Sequence, residues 1–266
     1  MSYQNLLRCF LTYSAGLLMM ASAWAQEDSA PSKGDAEAGK TVFRFETFGN
    51  EGFWTDAMRL PQGMMAEKLT LRDLLEVGLH IDADVLGPEF RQKLMAEAKT
   101  DLSKDQAPLL NDPELTGKLV QLNAVIGVVA IDSNEDGKLD LKQGDKMGVS
   151  CAICHTITDS SVFGLPGKGS IGKRLDGRAT HSLDMGKILA AAANSRAYYP
   201  NLQLELGGKT IGRAPKGIRA DSTEAEVDAY LKNDQFYPRG TFDETSDGIG
   251  NPVQNTPLRR LSSGKA

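Results

Sequence analysis

Cysteine and histidine are both scarce in this sequence, with three residues of each among 266. The cysteines are Cys9, near the N-terminus, and Cys151 and Cys154, which lie close together in the middle of the chain. A closed structural zinc site needs four ligands, and no further cysteine lies near the central pair. A redox dithiol remains an alternative, but it does not require the histidine that follows Cys154.

Long apolar runs are also absent, and the strongest one begins at Cys9. It is shorter than the about 18 residues that a membrane-spanning helix needs, and residues 12–14 interrupt it with polar side chains. Arg8 precedes the run and Ala23-Trp24-Ala25 follows it, which is the order of charge, apolar run and cleavage site in a secretory signal peptide. We therefore predict a signal peptide over residues 1–25, with a membrane anchor as the alternative.

The central cysteines belong to the motif Cys151-Ala152-Ile153-Cys154-His155, which has the pattern C-x-x-C-H. This pattern is typical of the attachment site of a c-type haem. Each thiol can add to one vinyl group of the same porphyrin, and the adjacent His155 can supply an axial imidazole to the iron. We predict one covalent haem c, held by Cys151, Cys154 and His155. Because haem is attached to this motif outside the cytoplasm, the motif and the signal peptide together predict a periplasmic protein.

The second axial ligand of the iron is expected downstream of the motif, where small cytochromes c carry their distal methionine. Met185 and His181 are the only methionine and histidine in that part of the sequence. We predict Met185 as the distal ligand, with His181 as the alternative. Met185 could instead be a core residue of an amphipathic helix. An upstream residue such as His80, or an empty sixth position, also stays open.

A second candidate metal site precedes the haem motif. Residues 132–140 match the calcium-loop pattern D-x-[DN]-x-[DN]-G, in which alternate oxygens converge on one ion. The predicted ligands are as follows: Asp132, Asn134 and Asp136 by their side chains, Lys138 by its carbonyl, and Asp140 by its side chain. Gln143 stands where the pattern expects a bidentate glutamate, and Asp145 could compensate. The alternative is a solvated acidic turn.

The predicted fold is mainly α, loop-rich and cytochrome-c-like, with a small β-hairpin. Helical spacing and capping residues predict helices from Thr70, Pro88, Asp112, Ser182 and Thr223. Alternating leucines before Gly207-Gly208 predict the hairpin. Residues 26–39 are predicted to form a flexible linker. Residues 164–178 are predicted to form a glycine-rich loop, which lies either beside the porphyrin or in solvent. The haem domain would cover 40–266, with a helical part over about 40–130 and the haem-carrying part over about 131–266.

Three stretches carry a resemblance to a known group of proteins. They are Phe45–Asp56, which is rich in aromatic residues, Gly148–His155, which contains the haem motif, and Ile171–Arg178. Together they resemble large exported bacterial c-type cytochromes, a group related to dihaem cytochrome c peroxidases and rubber-oxygenase-like proteins. The resemblance implies a mostly helical, loop-rich fold around haem, attached at Cys151, Cys154 and His155. Some members oxidise substrates with peroxide or dioxygen, but this chain has no second C-x-x-C-H.

The sequence thus predicts a periplasmic electron carrier that transfers single electrons to and from redox partner proteins. The alternatives are a peroxidase- or oxygenase-like enzyme with an open sixth position, to which Trp54 could relay electrons, and a haem sensor. The net charge of −5 argues against nucleic acid or an anionic membrane surface as partner. After signal cleavage we expect no stable membrane insertion.

Overall fold

The computed structural model describes residues 34–199, 204–206, 209–211, 218, 221–243 and 252–258. The chain divides into two units, Met1–Gly39 and Lys40–Ala266. The predicted signal peptide and residues 26–33 of the predicted linker lie outside the described residues. Within those that are described, no helix is long and apolar enough to cross a membrane.

The secondary structure consists of short helices and very short strands. The α-helices are α1 Ala36–Phe45, α2 Leu60–Ala66, α3 Leu71–Glu76, α4 Pro88–Glu97, α5 Pro113–Gln121, α6 Ala152–His155, α7 Met185–Ala190 and α8 Glu224–Leu231. A π-helical turn covers Gly52–Ala57, and 3-10 turns cover Ala83–Val85 and Ser195–Tyr198. The strands are β1 Ile81–Asp82, β2 Val128–Ile131, β3 Lys146–Val149, β4 Thr156–Thr158, β5 Phe163–Gly164, β6 Ser170–Gly172, β7 Arg174–Asp176, β8 Leu204–Leu206, β9 Lys209–Ile211, β10 Thr241–Phe242 and β11 Val253–Gln254.

The prediction of a mainly α, cytochrome-c-like fold is wrong, because the described residues form a mixed α and β structure with several small sheets. Strand β6 pairs in parallel with β1 and antiparallel with β5, and β2–β3 and β4–β7 form antiparallel pairs. The predicted glycine-rich loop over 164–178 therefore contains strands. These strands have two or three residues each, too few to show the alternation of apolar and polar side chains by which a strand is identified. The predicted hairpin is present, since β8 and β9 pair antiparallel.

Most of the predicted helices begin at the capping residues that the sequence indicates. Thr70 and Asp73 form a capping box at α3, and Thr223 and Glu226 form one at α8. Asp112 accepts a hydrogen bond from the Glu114 N–H at the start of α5. The helix predicted from Ser182 begins at Met185 instead. Asp184, which is buried, is its N-cap and accepts from the Lys187 N–H at 3.1 Å.

A single hydrophobic core joins most elements, and one buried ion pair fixes β7 against β1. Arg174 Nε lies 2.5 Å from Asp82 Oδ2, and both side chains are less than a tenth exposed. The guanidinium also lies 5.5 Å from the centre of the Phe45 ring in α1. The neighbouring Arg44 forms an ion pair with Asp176 at 2.6 Å. These contacts hold α1 against the strand that pairs with β4, which directly follows the C-x-x-C-H motif.

Candidate functional site

Four residues of the C-x-x-C-H motif form α6, a single helical turn whose N-cap is Cys151; only Ser150 separates the motif from the end of β3 at Val149. Ser150 holds its start in place. The Ser150 N–H donates to Gly127 O at 2.9 Å, and its hydroxyl donates to Arg44 O at 2.8 Å. Gly127 has φ +79° and lies directly against the backbone of Ile153. The turn is therefore positioned by backbone contacts from Gly127, the residue before β2, and from α1.

The two sides of this turn differ in exposure. Ala152 and Ile153 are buried in the protein, whereas Cys151 is exposed and Cys154 is half-buried. Residues three apart lie on the same face of a helical turn. The two cysteines therefore lie on the same side of the turn, and no disulfide joins them. One flat molecule that lies against this side would reach both residues.

His155 is held in one orientation by a distant backbone carbonyl. Its Nδ1 lies 2.8 Å from Thr256 O. A carbonyl oxygen only accepts hydrogen bonds, so Nδ1 is the donor, and in the neutral ring the lone pair is on Nε2. A metal-ligating histidine has this tautomer, with its other ring nitrogen bonded to a carbonyl or carboxylate. Of the two ring nitrogens of His155, Nε2 is therefore the one not bonded to Thr256 O.

Two further segments are tied to the motif by hydrogen bonds. The Thr180 N–H donates to Cys154 O at 2.9 Å, and Asn255 Nδ2 donates to Thr180 O at 3.1 Å. Asn255 is the residue before Thr256, so one short segment fixes both Thr180 and His155. Asn255 and Thr256 were missed in the sequence, because an asparagine and a threonine about a hundred positions from the motif give no signal.

The two predicted distal ligands lie in different surroundings. Met185 is 1% exposed and belongs to the hydrophobic core at the start of α7. His181 is exposed and follows Thr180, whose N–H bonds to the motif. His181 also lines a cavity of about 670 Å³ together with His80 and with Ile157 and Thr158 of β4. The structure therefore brings His181 and His80 to one cavity beside the motif, while Met185 is a core residue.

His80 is the buried member of this cavity. Its Nδ1 lies 2.8 Å from Ser170 Oγ and accepts a hydrogen bond from the Ser170 N–H at 3.2 Å. Ser170 Oγ lies 2.6 Å from Thr158 Oγ1, and Ser182 Oγ lies 3.5 Å from His80 Nε2. Because Nδ1 accepts from a backbone N–H, the proton of the neutral ring is on Nε2. Burial lowers the pKa of His80 to about 4, so the ring is neutral at neutral pH.

This pKa predicts a loss of stability in mild acid. The unfolded chain takes up a proton on His80 near the ordinary value of 6.5, whereas the folded chain does so only near 4. The unfolded state therefore binds more protons between these values, and stability falls as the pH drops through them. From about pH 7 to about pH 5 this should cost about 2 kcal/mol of the free energy of unfolding.

Urea unfolding of wild type, H80Q and H181Q at several pH values checks this expectation. Glutamine at position 80 does not titrate, so H80Q should lose this part of the pH dependence. H181Q is the matched control, because His181 is exposed, and it should keep the wild-type dependence. An H80Q profile parallel to that of wild type would contradict the assignment.

Trp54 lies in the core rather than beside the motif thiols. It is 3% exposed, and its ring packs edge-on against Phe53 with 5.3 Å between the ring centres. It lines a second, mainly apolar cavity of about 250 Å³. Ile153, from the inner side of the motif turn, also lines that cavity. These contacts make Trp54 a core residue.

The predicted calcium loop is closed by hydrogen bonds to its own carboxylates. Asp132 Oδ2 accepts from the Gly137 N–H at 2.8 Å, and Asp136 Oδ1 accepts from the Lys138 N–H at the same distance. Asp145, which is buried, accepts from the Asp140 N–H at 2.7 Å and from the Ser133 N–H at 3.0 Å. These bonds, chiefly the one from Asp140, lower the pKa of Asp145.

No three acidic, histidine or cysteine side chains are grouped as metal ligands anywhere in the described part of the chain. The calcium site formed by Asp132, Asn134, Asp136, Lys138 and Asp140 therefore stays a prediction from the sequence. Asp145 has a clear role in either case, because its carboxylate joins the two ends of the loop.

Comparison with known proteins does not place this chain in a family. No protein-family model, no curated protein and no solved structure matches it. The resemblance to exported c-type cytochromes therefore stays a prediction that rests on the sequence motifs.

Proposed function

We propose that this protein is an exported c-type cytochrome that carries one covalent haem and transfers single electrons in the periplasm. The observation that carries the proposal is the geometry of the C-x-x-C-H turn. Cys151 is exposed and Cys154 half-buried on the same side of the turn, and Nδ1 of the neighbouring His155 bonds to Thr256 O, which leaves Nε2 to face the iron.

The residues present fit a covalent haem. Cys151 and Cys154 would hold it through thioether bonds, and His155 would supply the axial nitrogen. When bound, the haem supplies a one-electron couple between ferric and ferrous iron. The chain itself orients the imidazole through Thr256 and holds the turn rigid through Ser150, Gly127 and Thr180. A fixed ligand and a fixed hydrogen bond to it are means by which proteins tune such a couple.

Features of the whole chain support a carrier. There is one C-x-x-C-H and no second motif to form the electron relay that a dihaem enzyme needs. Residues 1–25 have the features of a cleavable export signal, and export is required for haem attachment at this motif. The acidic net charge fits association with a basic redox partner protein and does not favour nucleic acid.

Absorption and EPR spectra of the purified protein test the proposal. A carrier should be six-coordinate and low-spin when ferric, and it should not bind carbon monoxide when reduced. M185A and H181A separate the two distal candidates, because loss of the true ligand should turn the haem high-spin and open it to carbon monoxide. The other variant then serves as the matched control and should keep the wild-type spectrum.

Three results of these experiments would contradict parts of the electron-carrier proposal. A wild-type protein with high-spin haem that binds carbon monoxide at once would favour a peroxidase- or oxygenase-like enzyme or a sensor. Two variants that both stay low-spin would exclude both Met185 and His181 as distal ligand. A purified protein without haem would overturn the proposal as a whole.

A further inference from the structure

The cavity of about 670 Å³ beside the motif has an unusual lining for this chain. Among the described residues that line it none is acidic, although the whole chain has a net charge of −5. Its polar side chains are one lysine, two histidines and four hydroxyls: Lys168, His80, His181, Thr158, Ser160, Ser170 and Ser182. All of them can donate hydrogen bonds. A cavity lined by hydrogen-bond donors and by no carboxylates favours an anionic ligand, because an anion accepts hydrogen bonds and is not repelled by the lining.

Two of these donors make only long hydrogen bonds in the structure. His80 is 6% exposed and carries its proton on Nε2, and the partner of that nitrogen, Ser182 Oγ, lies at 3.5 Å. The Ser182 hydroxyl in turn lies 3.5 Å from Gly78 O. Normal N–H···O and O–H···O bonds are about 2.5–3.2 Å long. One ligand oxygen that bridges His80 and Ser182 from the cavity side would give both donors a shorter bond, and a buried donor gains most from such a partner.

The rest of the lining defines the ligand further. Lys168 supplies a positive charge at the cavity, although its ammonium also pairs with Glu76, which is not part of the lining. Ile157, Leu165 and Pro166 supply an apolar wall. The volume lies within the about 300–1,000 Å³ that is usual for small-molecule sites. These features fit an anionic head with an apolar ring or short chain.

We propose that this cavity binds a small organic monocarboxylate. Its carboxylate accepts hydrogen bonds from His80 Nε2–H and from the Ser182 hydroxyl, and Lys168 balances its charge. Its apolar part lies against Ile157, Leu165 and Pro166. No residue of the C-x-x-C-H motif belongs to its lining.

Calorimetric titration with benzoate tests the site, with benzamide as a neutral probe of nearly the same shape. We expect saturable binding of benzoate and at least tenfold weaker binding of benzamide, because benzamide lacks the charge that strengthens these bonds. NMR of the histidine rings gives a second readout. The chain has three histidines, and the His80 signals should shift with the affinity found by calorimetry.

Variants assign the binding to this cavity. S182A and K168A should each weaken benzoate binding about tenfold, the usual effect of losing one bond to a charged group. S161A and K173A are matched controls, because both residues are exposed and neither lines the cavity. They should bind benzoate as wild type does.

Three results would overturn the proposal. One is the absence of saturable benzoate binding, which would mean that His80 and Ser182 bond to each other and to water only. Another is equal affinity for benzoate and benzamide, which would mean an apolar site without anion recognition. The third is wild-type affinity in both S182A and K168A, which would place any bound benzoate elsewhere. None of these results bears on the haem spectra, so this proposal and the cytochrome proposal fail separately.

Discussion

The double variant C151S/C154S should contain no covalently attached haem, whereas the wild-type protein should retain one haem per chain after acid–acetone extraction. A serine hydroxyl has nearly the shape of the thiol but does not form the thioether bond to a porphyrin vinyl group. Cys151 is exposed and Cys154 is half-buried, so the exchange should change the free energy of unfolding by only about 0.5 kcal/mol. The loss of haem would then report on attachment chemistry and not on folding.

Single variants make this test sharper. C151S and C154S should each keep one bond to the porphyrin, and a free vinyl group should shift the pyridine haemochrome band relative to wild type. H155A is the matched comparison, because it leaves both thiols intact and removes only the axial nitrogen; it should retain covalent haem with altered iron ligation. Circular dichroism confirms that each variant is folded. Wild-type protein that loses all of its haem on extraction would contradict covalent attachment.

Local signals in the sequence were sufficient for part of this structure. The capping boxes at Thr70 and Thr223 involve residues three positions apart, so the sequence contains all of the interaction. The haem motif is equally local, since its chemistry depends on five consecutive residues. Both kinds of pattern can be read without knowledge of what packs against them.

Pairing between distant segments could not be predicted in the same way. Ile81 in β1 pairs with Ile171 in β6, and each strand has only two or three residues. A strand of that length has no periodicity of its own, and its partner determines its conformation. The fold was therefore predicted as mainly α, although the buried pairing of β1 with β6 is at its centre.

The same limit applies to the site. From the sequence, His80 is only one of several open candidates for the distal haem ligand. In the structure the β1–β6 pairing places His80 beside Ser170, and both residues line the cavity with hydrogen-bonding side chains. The carbonyl of Thr256, which orients His155, lies 101 positions further along the chain. A backbone carbonyl has no residue type, so no sequence pattern marks it.

A change at Gly127 should have the largest effect on folding among the substitutions considered. Gly127 has φ +79°, and an added Cβ atom would lie 2.2 Å from the N atom of Ile153 and 2.3 Å from its Cα. An L-residue at this φ costs about 1–2 kcal/mol, and overpacking a buried site costs about 1–3 kcal/mol more. G127A should therefore lower the free energy of unfolding by about 3 kcal/mol, measured by urea denaturation.

Gly117 provides the matched control for this substitution. It lies exposed within α5, and a Cβ atom built there meets nothing within 4 Å. Alanine in a helix is favoured over glycine, so G117A should stabilise the protein by about 0.5–1 kcal/mol. Because Gly127 contacts the backbone of the C-x-x-C-H turn, G127A should also reduce the fraction of chains with covalent haem, while G117A should not. A G127A protein as stable as wild type and with full haem content would show that the contact with Gly127 does not determine where this turn lies.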